Sequence, residues 1–259
     1  MILLYVQYEV SYDNFHSKGD RIYRVLRETR SEDGTVTVRE GISGPFAPAL
    51  MKDFTEVESA VRFRGPFGAW TRYEGTQRIR ERRLWMAVEP DFFTIFDFEF
   101  IWGDPKTALP NPSFTVISEA VAKQYFGTDN PMGKIISREG GGEYGHKDLV
   151  VNGVVKVPEN TRVRFDLVAH AATFNDEEWT KTRWERWDAE YHARPFGTYI
   201  LLRGGVDAKA LEAKLPNFME RYMGSETRAK NRYHHLSSFW ARQFCWHFWL
   251  LYWPWDWWR

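Results

Sequence analysis

Short alternating runs of apolar and polar residues, broken by glycine, proline and acidic turns, order this chain into strands and a few short helices. Residues 20–26 read as a strand on Ile22, Val25 and Leu26. The stretch 35–38 (TVTV) alternates as a half-buried strand does, and SEDG at 31–34 supplies a hairpin turn between the two. Gly44-Pro45 opens a helix, since a first-turn proline gives up only an N–H that had no partner there. Phe46, Leu50 and Phe54 then fall on one face. Val57, Ser59, Val61 and Phe63 alternate with Glu58, Arg62 and Arg64, which restores the two-residue period. The order is strand, strand, helix, strand.

The middle changes character. RIRERR at 78–83 leads into an apolar run at 84–88, and Glu89-Pro90-Asp91 sets up a short helix over 92–96. Residues 114–117 read as a buried strand. Ser118 is placed to cap a helix over 119–126, with Val121, Ala122, Tyr125 and Phe126 as its apolar face and Gly127 as its stop. The β-rich run 148–157 (DLVVNGVVKV) is interrupted by Gly153, which predicts a bulge or bend. After an aromatic, charged stretch at 177–194, residues 198–203 are a strand and Asp207 an N-cap. Leu211, Leu215, Phe218, Met219 and Tyr222 line a helix that Pro216 should kink or split.

Composition narrows the function classes. Thirty-five Lys plus Arg balance 35 Asp plus Glu, so the basic excess by which nucleic-acid binders displace phosphate counterions is missing. A mean hydropathy of −0.52 and 27% charged residues describe a globular body facing water. The one cysteine, Cys245, permits neither an intrachain disulfide nor a thiolate metal cluster. Residues 1–8 (MILLYVQY) read as the last turns of an apolar helix that begins upstream, followed by a polar turn at 11–19. The uncharged run 243–255 would rise to roughly 20 Å as a helix, short of the roughly 30 Å of a hydrocarbon core. The end, 236–259, is rich in tryptophan without helical or alternating period, and reads as an aberrant tail, such as a frame error would leave.

Five segments in order resemble the MacB-like periplasmic core domain of FtsX-type ABC transporter permeases. They are YVQYEVSYDNFHSKGDRIYRV (5–25), VEPDFFTIFDFEFIWGDPKT (88–107), TVISEAVAKQYFGTDNPMGK (115–134), NGVVKVPENTRVRFD (152–166) and YILLRGGVDAKALEAKLPNFMERY (199–222). The resemblance implies an α+β fold of two subdomains: an outer strand–helix unit from both ends, 18–66 with 196–235, and a β-rich unit inserted at 67–195. Residues 1–17 would be the remnant of a first membrane helix and its exit turn. The family's exit strand and its remaining membrane helices have no counterpart after Tyr222 in this reading. The implied role is a non-catalytic extracytoplasmic domain at the cell inner membrane, coupling the motion of a separate ABC ATPase subunit to export or to periplasmic work. A second permease copy and a periplasmic protein are the implied partners. A stand-alone module holding a peptide, lipid or protein, or a non-functional gene remnant, is the alternative.

Candidate chemistry adds little to this. GTDNPMGK at 127–134 has one residue too many between its glycines for a phosphate loop, and Ile135 stands where magnesium needs a hydroxyl, so it reads as a Pro-Gly turn. Gly140-Gly141-Gly142 reads as a hairpin tip, and His234-His235 diverge as neighbours must, so neither is taken as a site. His146, His170 and His192 have no ligand partners at motif spacing. Arg78, Arg80 and Arg82 share a strand face that is either solvated or open to acidic partners. Trp179, Trp184 and Trp187 with Tyr191 are packing residues or an aromatic platform. No catalytic, cofactor-binding or metal-binding residue is assigned, and no cofactor is implied.

Overall fold

The computed structural model describes residues 11–31, 33–74, 78–139, 146–174, 197–224 and 232–238. Its elements are β1 (Ile22–Arg30), β2 (Val36–Glu40), α1 (Phe46–Asp53), β3 (Val57–Glu74), β4 (Arg78–Val88), α2 (Phe92–Ile95), β5 (Glu99–Trp102), β6 (Phe114–Ser118), α3 (Glu119–Phe126), β7 (Ile135–Glu139), β8 (Lys147–Lys156), β9 (Leu167–His170), β10 (Gly197–Leu202), α4 (Ala208–Glu212), α5 (Leu215–Met223) and β11 (Arg232–Ser238). The fold is α+β, as the pattern of the sequence requires.

Among the described residues, eleven strands join one sheet in the order β11-β1-β10-β3-β4-β9-β6-β8-β5, with β2 on β1 and β7 between β3 and β8. The sequence order of this path shows the architecture. Strands from both ends of the chain lie together at one side, and strands from the middle follow β3. The sheet also closes on itself: β3, β4, β9, β6, β8 and β7 each pair with the next, and β7 returns to β3. Closure removes the free edges that would otherwise offer unpaired N–H and C=O groups.

Three apolar clusters fill this frame. One lines the inside of the closed strands, where Trp85, Ile136, Leu149 and Leu167 are fully or almost fully buried and α3 contributes Val121 and Tyr125. Trp85 is held there by its Nε1, which donates to Thr71 Oγ1 at 2.8 Å. A second lies between α1, α4, α5 and one face of the outer strands, with Val25, Phe46, Leu50, Ile200 and Phe218. The third packs on the other face and joins both halves: Ile22, Val61, Tyr199 and Leu201 meet Phe92, Phe96 and Phe98 of the α2 region. β10 is buried on both sides, Ile200 and Leu202 facing one cluster and Tyr199 and Leu201 the other, so it reads as a continuous apolar run.

Local signals placed several elements well. Ser118 Oγ accepts the Val121 N–H and Gly127 ends α3 at φ 61°. Asp207 caps α4 through Lys209 N–H, and the predicted long helix is split into α4 and α5 with Pro216 in the first turn of the second. At Gly153 the β6–β8 register slips, Thr115 facing Val151 and Val116 facing Gly153. Other elements correct the sequence reading. β3 does not stop near Phe63 but runs to Glu74, through a register shift between Arg64 and Phe67. A strand does follow Tyr222: β11 pairs with β1 from Thr29↔Arg232 to Tyr23↔Ser238. Leu236, assigned to the tryptophan-rich tail, is a buried member of the α1–α5 cluster. Residues 1–10 and 239–259, which hold the apolar N-terminal turns and the rest of the tail, lie outside the described residues.

Candidate functional site

The polar turn at 11–19 proves to be a built junction. Asp13 is 1% exposed and His16 3%, far below what a solvated turn would show. The segment folds on itself first: Asn14 N–H donates to Ser11 C=O, His16 N–H to Asp13 C=O and Gly19 N–H to His16 C=O. Asp13 adopts φ 58°, a left-handed conformation that aspartate tolerates better than most side chains.

Two loops of the middle region then grip this segment. In the loop after β8, Asn160 donates its side-chain amide to Ser11 C=O at 2.8 Å, and Asn160 C=O accepts Asp13 N–H at 2.9 Å. Asp13 Oδ1 accepts from Thr161 Oγ1 at 2.7 Å and from Arg162 N–H at 3.0 Å, while Arg162 Nε stands 3.8 Å from Oδ2. Burial raises the Asp13 carboxyl above its ordinary value, and the bonds from Thr161 and Arg162 work against that rise. The second grip is the loop after α2. Asp97 N–H donates to His16 Nδ1 at 3.0 Å, Ser17 N–H and Oγ both donate to Asp97 Oδ2 at 2.8 Å, and Lys18 Nζ donates to Thr94 C=O at 2.7 Å. The His16 ring meets Phe96 and Phe98 edge-on at 5.4 and 5.6 Å. Burial lowers its pKa to about 4, with Asp97 opposing. The segments PENT and FFTIFDF, read in the sequence as motifs, are thus the two jaws of one joint.

A second tie crosses the seam between the halves. Arg62 of β3 donates from Nε to Glu89 Oε1 at 2.9 Å and from its backbone N–H to Glu89 Oε2 at 2.7 Å, and also bonds Gly44 C=O. This bidentate pairing fixes the loop before α2 to the turn before α1.

The residues weighed from the sequence fare differently. Arg80 and Arg82 do share a face of β4, across from Arg72 and Trp70. Arg80 lies 4.6 Å over the Trp70 ring and pairs with Glu139, which Arg72 also approaches at 3.3 Å. Arg82 reaches Gly68 C=O at 3.4 Å; the side chain of Arg78 lies outside the described residues. In the Gly127–Lys134 turn, Gly133 N–H donates to Val151 C=O, Lys134 N–H to Pro131 C=O, and Lys134 Nζ stands 3.3 Å from Asp129. His146 Nε2 meets Asp148 at 2.8 Å on the surface. His170 Nδ1 accepts from Ala172 N–H, and burial lowers its pKa. Gly140 to Gly142, His192 and the Trp179, Trp184, Trp187 and Tyr191 group lie outside the described residues, as do the side chains of His234 and His235. Among the described residues no three His, Cys, Asp or Glu side chains gather as a metal site would need, and no helix is long and apolar enough to cross a membrane.

Comparison with known proteins fits this frame. The family model of the MacB-like periplasmic core domain matches residues 1–218. A domain assigned to a permease from Porphyromonas gingivalis is similar at a TM-score of 0.69 and 21% identity, over 86% of this chain and 93% of that one. The periplasmic region of MacB from Actinobacillus actinomycetemcomitans is similar at 0.53 and 11%, over 86% and 92%. The extracellular domain of the ABC-type transporter YknZ from Gram-positive bacteria is similar at 0.53 and 12%, over 83% and 99%. At these identities the structures share the fold. A search of curated protein sequences returned no match.

Proposed function

Because the chain belongs to the MacB-like periplasmic core domain family, we propose that this periplasmic domain of an ABC transporter permease works without catalysis, as a stiff body that carries ATP-driven motion of its permease. Its place is the extracytoplasmic side of the inner membrane. A separate ABC ATPase subunit supplies the motion, a second permease copy works beside it, and a periplasmic protein receives it.

The observation that supports this most directly is the continuity of the sheet. The outer unit, taken as 18–66 with 196–235, and the inserted unit, taken as 67–195, have no linker between them at their first crossing, because β3 passes from one to the other. The α1–α5 cluster draws only on the outer unit and Leu236, and the cluster inside the closed strands only on the inserted one. Between them the aromatic cluster around Phe92 and Tyr199 and the Arg62–Glu89 pair fill the seam. Packed interiors transmit displacement in place of absorbing it, which is what a lever needs.

The test uses the permease assembled with its ATPase in vesicles, spin-labelled at Lys123, whose side chain is 70% exposed. The distance between labels on two permease copies should change on ATP binding and return after hydrolysis. An unchanged distance, with ATP hydrolysis intact, would remove the proposal.

A further inference from the structure

We propose that Asp13 is a positioning residue through which displacement of the polypeptide arriving from residues 1–10 is delivered directly to the inserted unit. The inference rests on the reading that the domain transmits motion, and it names the route.

The order of contacts along the chain carries it. Before the polypeptide reaches β1, the first strand of the outer unit, it has already been seized twice by loops of the middle region, at 160–162 and at 94–97. The first of these loops joins β8 to β9, two strands of the closed set. A movement at Ser11 or Asp13 therefore reaches the β8–β9 loop through hydrogen bonds of 2.7 to 3.0 Å, and that loop is anchored in the core by Val163 and Phe165, each 4% exposed. The competing path through β1 enters β10 by the register Ile22↔Leu201 to Arg24↔Tyr199 and by the Arg21 bond to Leu202 C=O at 2.8 Å.

Asp13 is singled out within the junction by its chemistry. A neutral side chain could pack in a buried turn at less cost, since removing a carboxylate from water is expensive even when it is hydrogen-bonded. What the carboxylate adds is a rigid two-point grip: one oxygen takes both a hydroxyl and a backbone N–H from consecutive residues, Thr161 and Arg162, and the other faces the Arg162 guanidinium. Consecutive donors fix both the position and the direction of the loop. The left-handed turn at Asp13 aims the carboxylate at them.

Hydrogen exchange on the full chain, in a Cys245→Ser background, tests the grip itself. Asp13→Ala should quicken amide exchange at 160–163 at least tenfold, while β3 and β4 exchange as before. Asp13→Asn, which keeps an acceptor, should fall between. Exchange at 160–163 that is unaltered by Asp13→Ala overturns the inference. Transmission is tested in the assembled permease, with a label at Lys123 on each of two permease copies. Asp13→Ala should leave ATP hydrolysis intact and abolish the nucleotide-dependent change between the labels. Joining the Asp13→Cys, Thr161→Cys pair with a short bifunctional thiol reagent should restore that change, which a general loss of stability would not allow. Wild-type protein that shows no change removes the functional reading and this inference with it. Wild type and Asp13→Ala that change alike, or a bridge that restores nothing, remove this inference alone.

Discussion

The depressed pKa of His16 makes a quantitative claim about stability. In the unfolded chain the imidazole titrates near 6.5, whereas in the fold it resists protonation down to about 4, because a charged ring would sit against Phe96 and Phe98 with little water. Between these values the unfolded state binds the proton and the native state does not. The stability that His16 contributes must therefore fall as pH drops from about 6.5 towards 4, and be flat above. A gap of that size, at about 1.4 kcal/mol per unit, amounts to roughly 3 kcal/mol. Asp13 works the other way: its raised carboxyl takes up a proton in the fold before the unfolded chain does, so its contribution grows as pH falls. His170 is lowered by burial and adds to the His16 effect. The His16 term is isolated by comparison with His16→Asn, which keeps an acceptor for Asp97 N–H but has no proton to gain. Urea unfolding from pH 7.5 to 4 should show wild type losing roughly 3 kcal/mol more than the variant across that range. Parallel curves would refute the claim that the native ring is held neutral by burial.

Three further outcomes follow from packing. A Cβ at Gly153 would lie 2.9 Å from Phe100 Cε1 and 3.2 Å from Val116 Cγ2, so Gly153→Ala should cost about 1–3 kcal/mol by urea midpoint, and an unchanged midpoint would refute the close approach. Trp85→Phe takes from the buried Thr71 hydroxyl its 2.8 Å donor, leaving a 3.5 Å contact with Ala69 C=O, and should cost about 2–3 kcal/mol. Adding Thr71→Val should recover part of that loss in thermal unfolding, and strict additivity would show that the bond contributes nothing. Ser118→Ala removes the cap of α3 and should cost about 1 kcal/mol, visible as a lowered unfolding midpoint.

Where the sequence was legible, the controlling interaction lay within a few residues. Ser118 reaches only to Val121, and Gly127 needs only its own freedom at φ 61°, so α3 could be bounded from neighbours alone. Pro216 divides α4 from α5 by its own missing N–H. The strands that escaped notice lack such local marks. β11 carries Tyr233, His234 and His235 and owes its extended form to its pairing with β1, some two hundred residues away. β3 looked finished at Phe63 because Gly65, Pro66 and Gly68 interrupt its alternation, yet β4 and β7 pair with it well beyond that point.

The junction was the hardest to see. S-Y-D-N-F-H is the composition of a solvated turn, and Asp13 has its partners at Thr161 and Arg162, |i−j| 148 and 149 away. By itself the sequence determined the kind of fold, the helix limits, the bulge at Gly153 and, through five ordered motifs, the family, because each depends on backbone preferences or on short patterns. Only the tertiary structure decided that the strands close into a ring, that β11 completes the outer side, and that a polar entry segment is buried between two distant loops. Those outcomes depend on which surfaces meet, and burial is a property of the meeting, not of the residue.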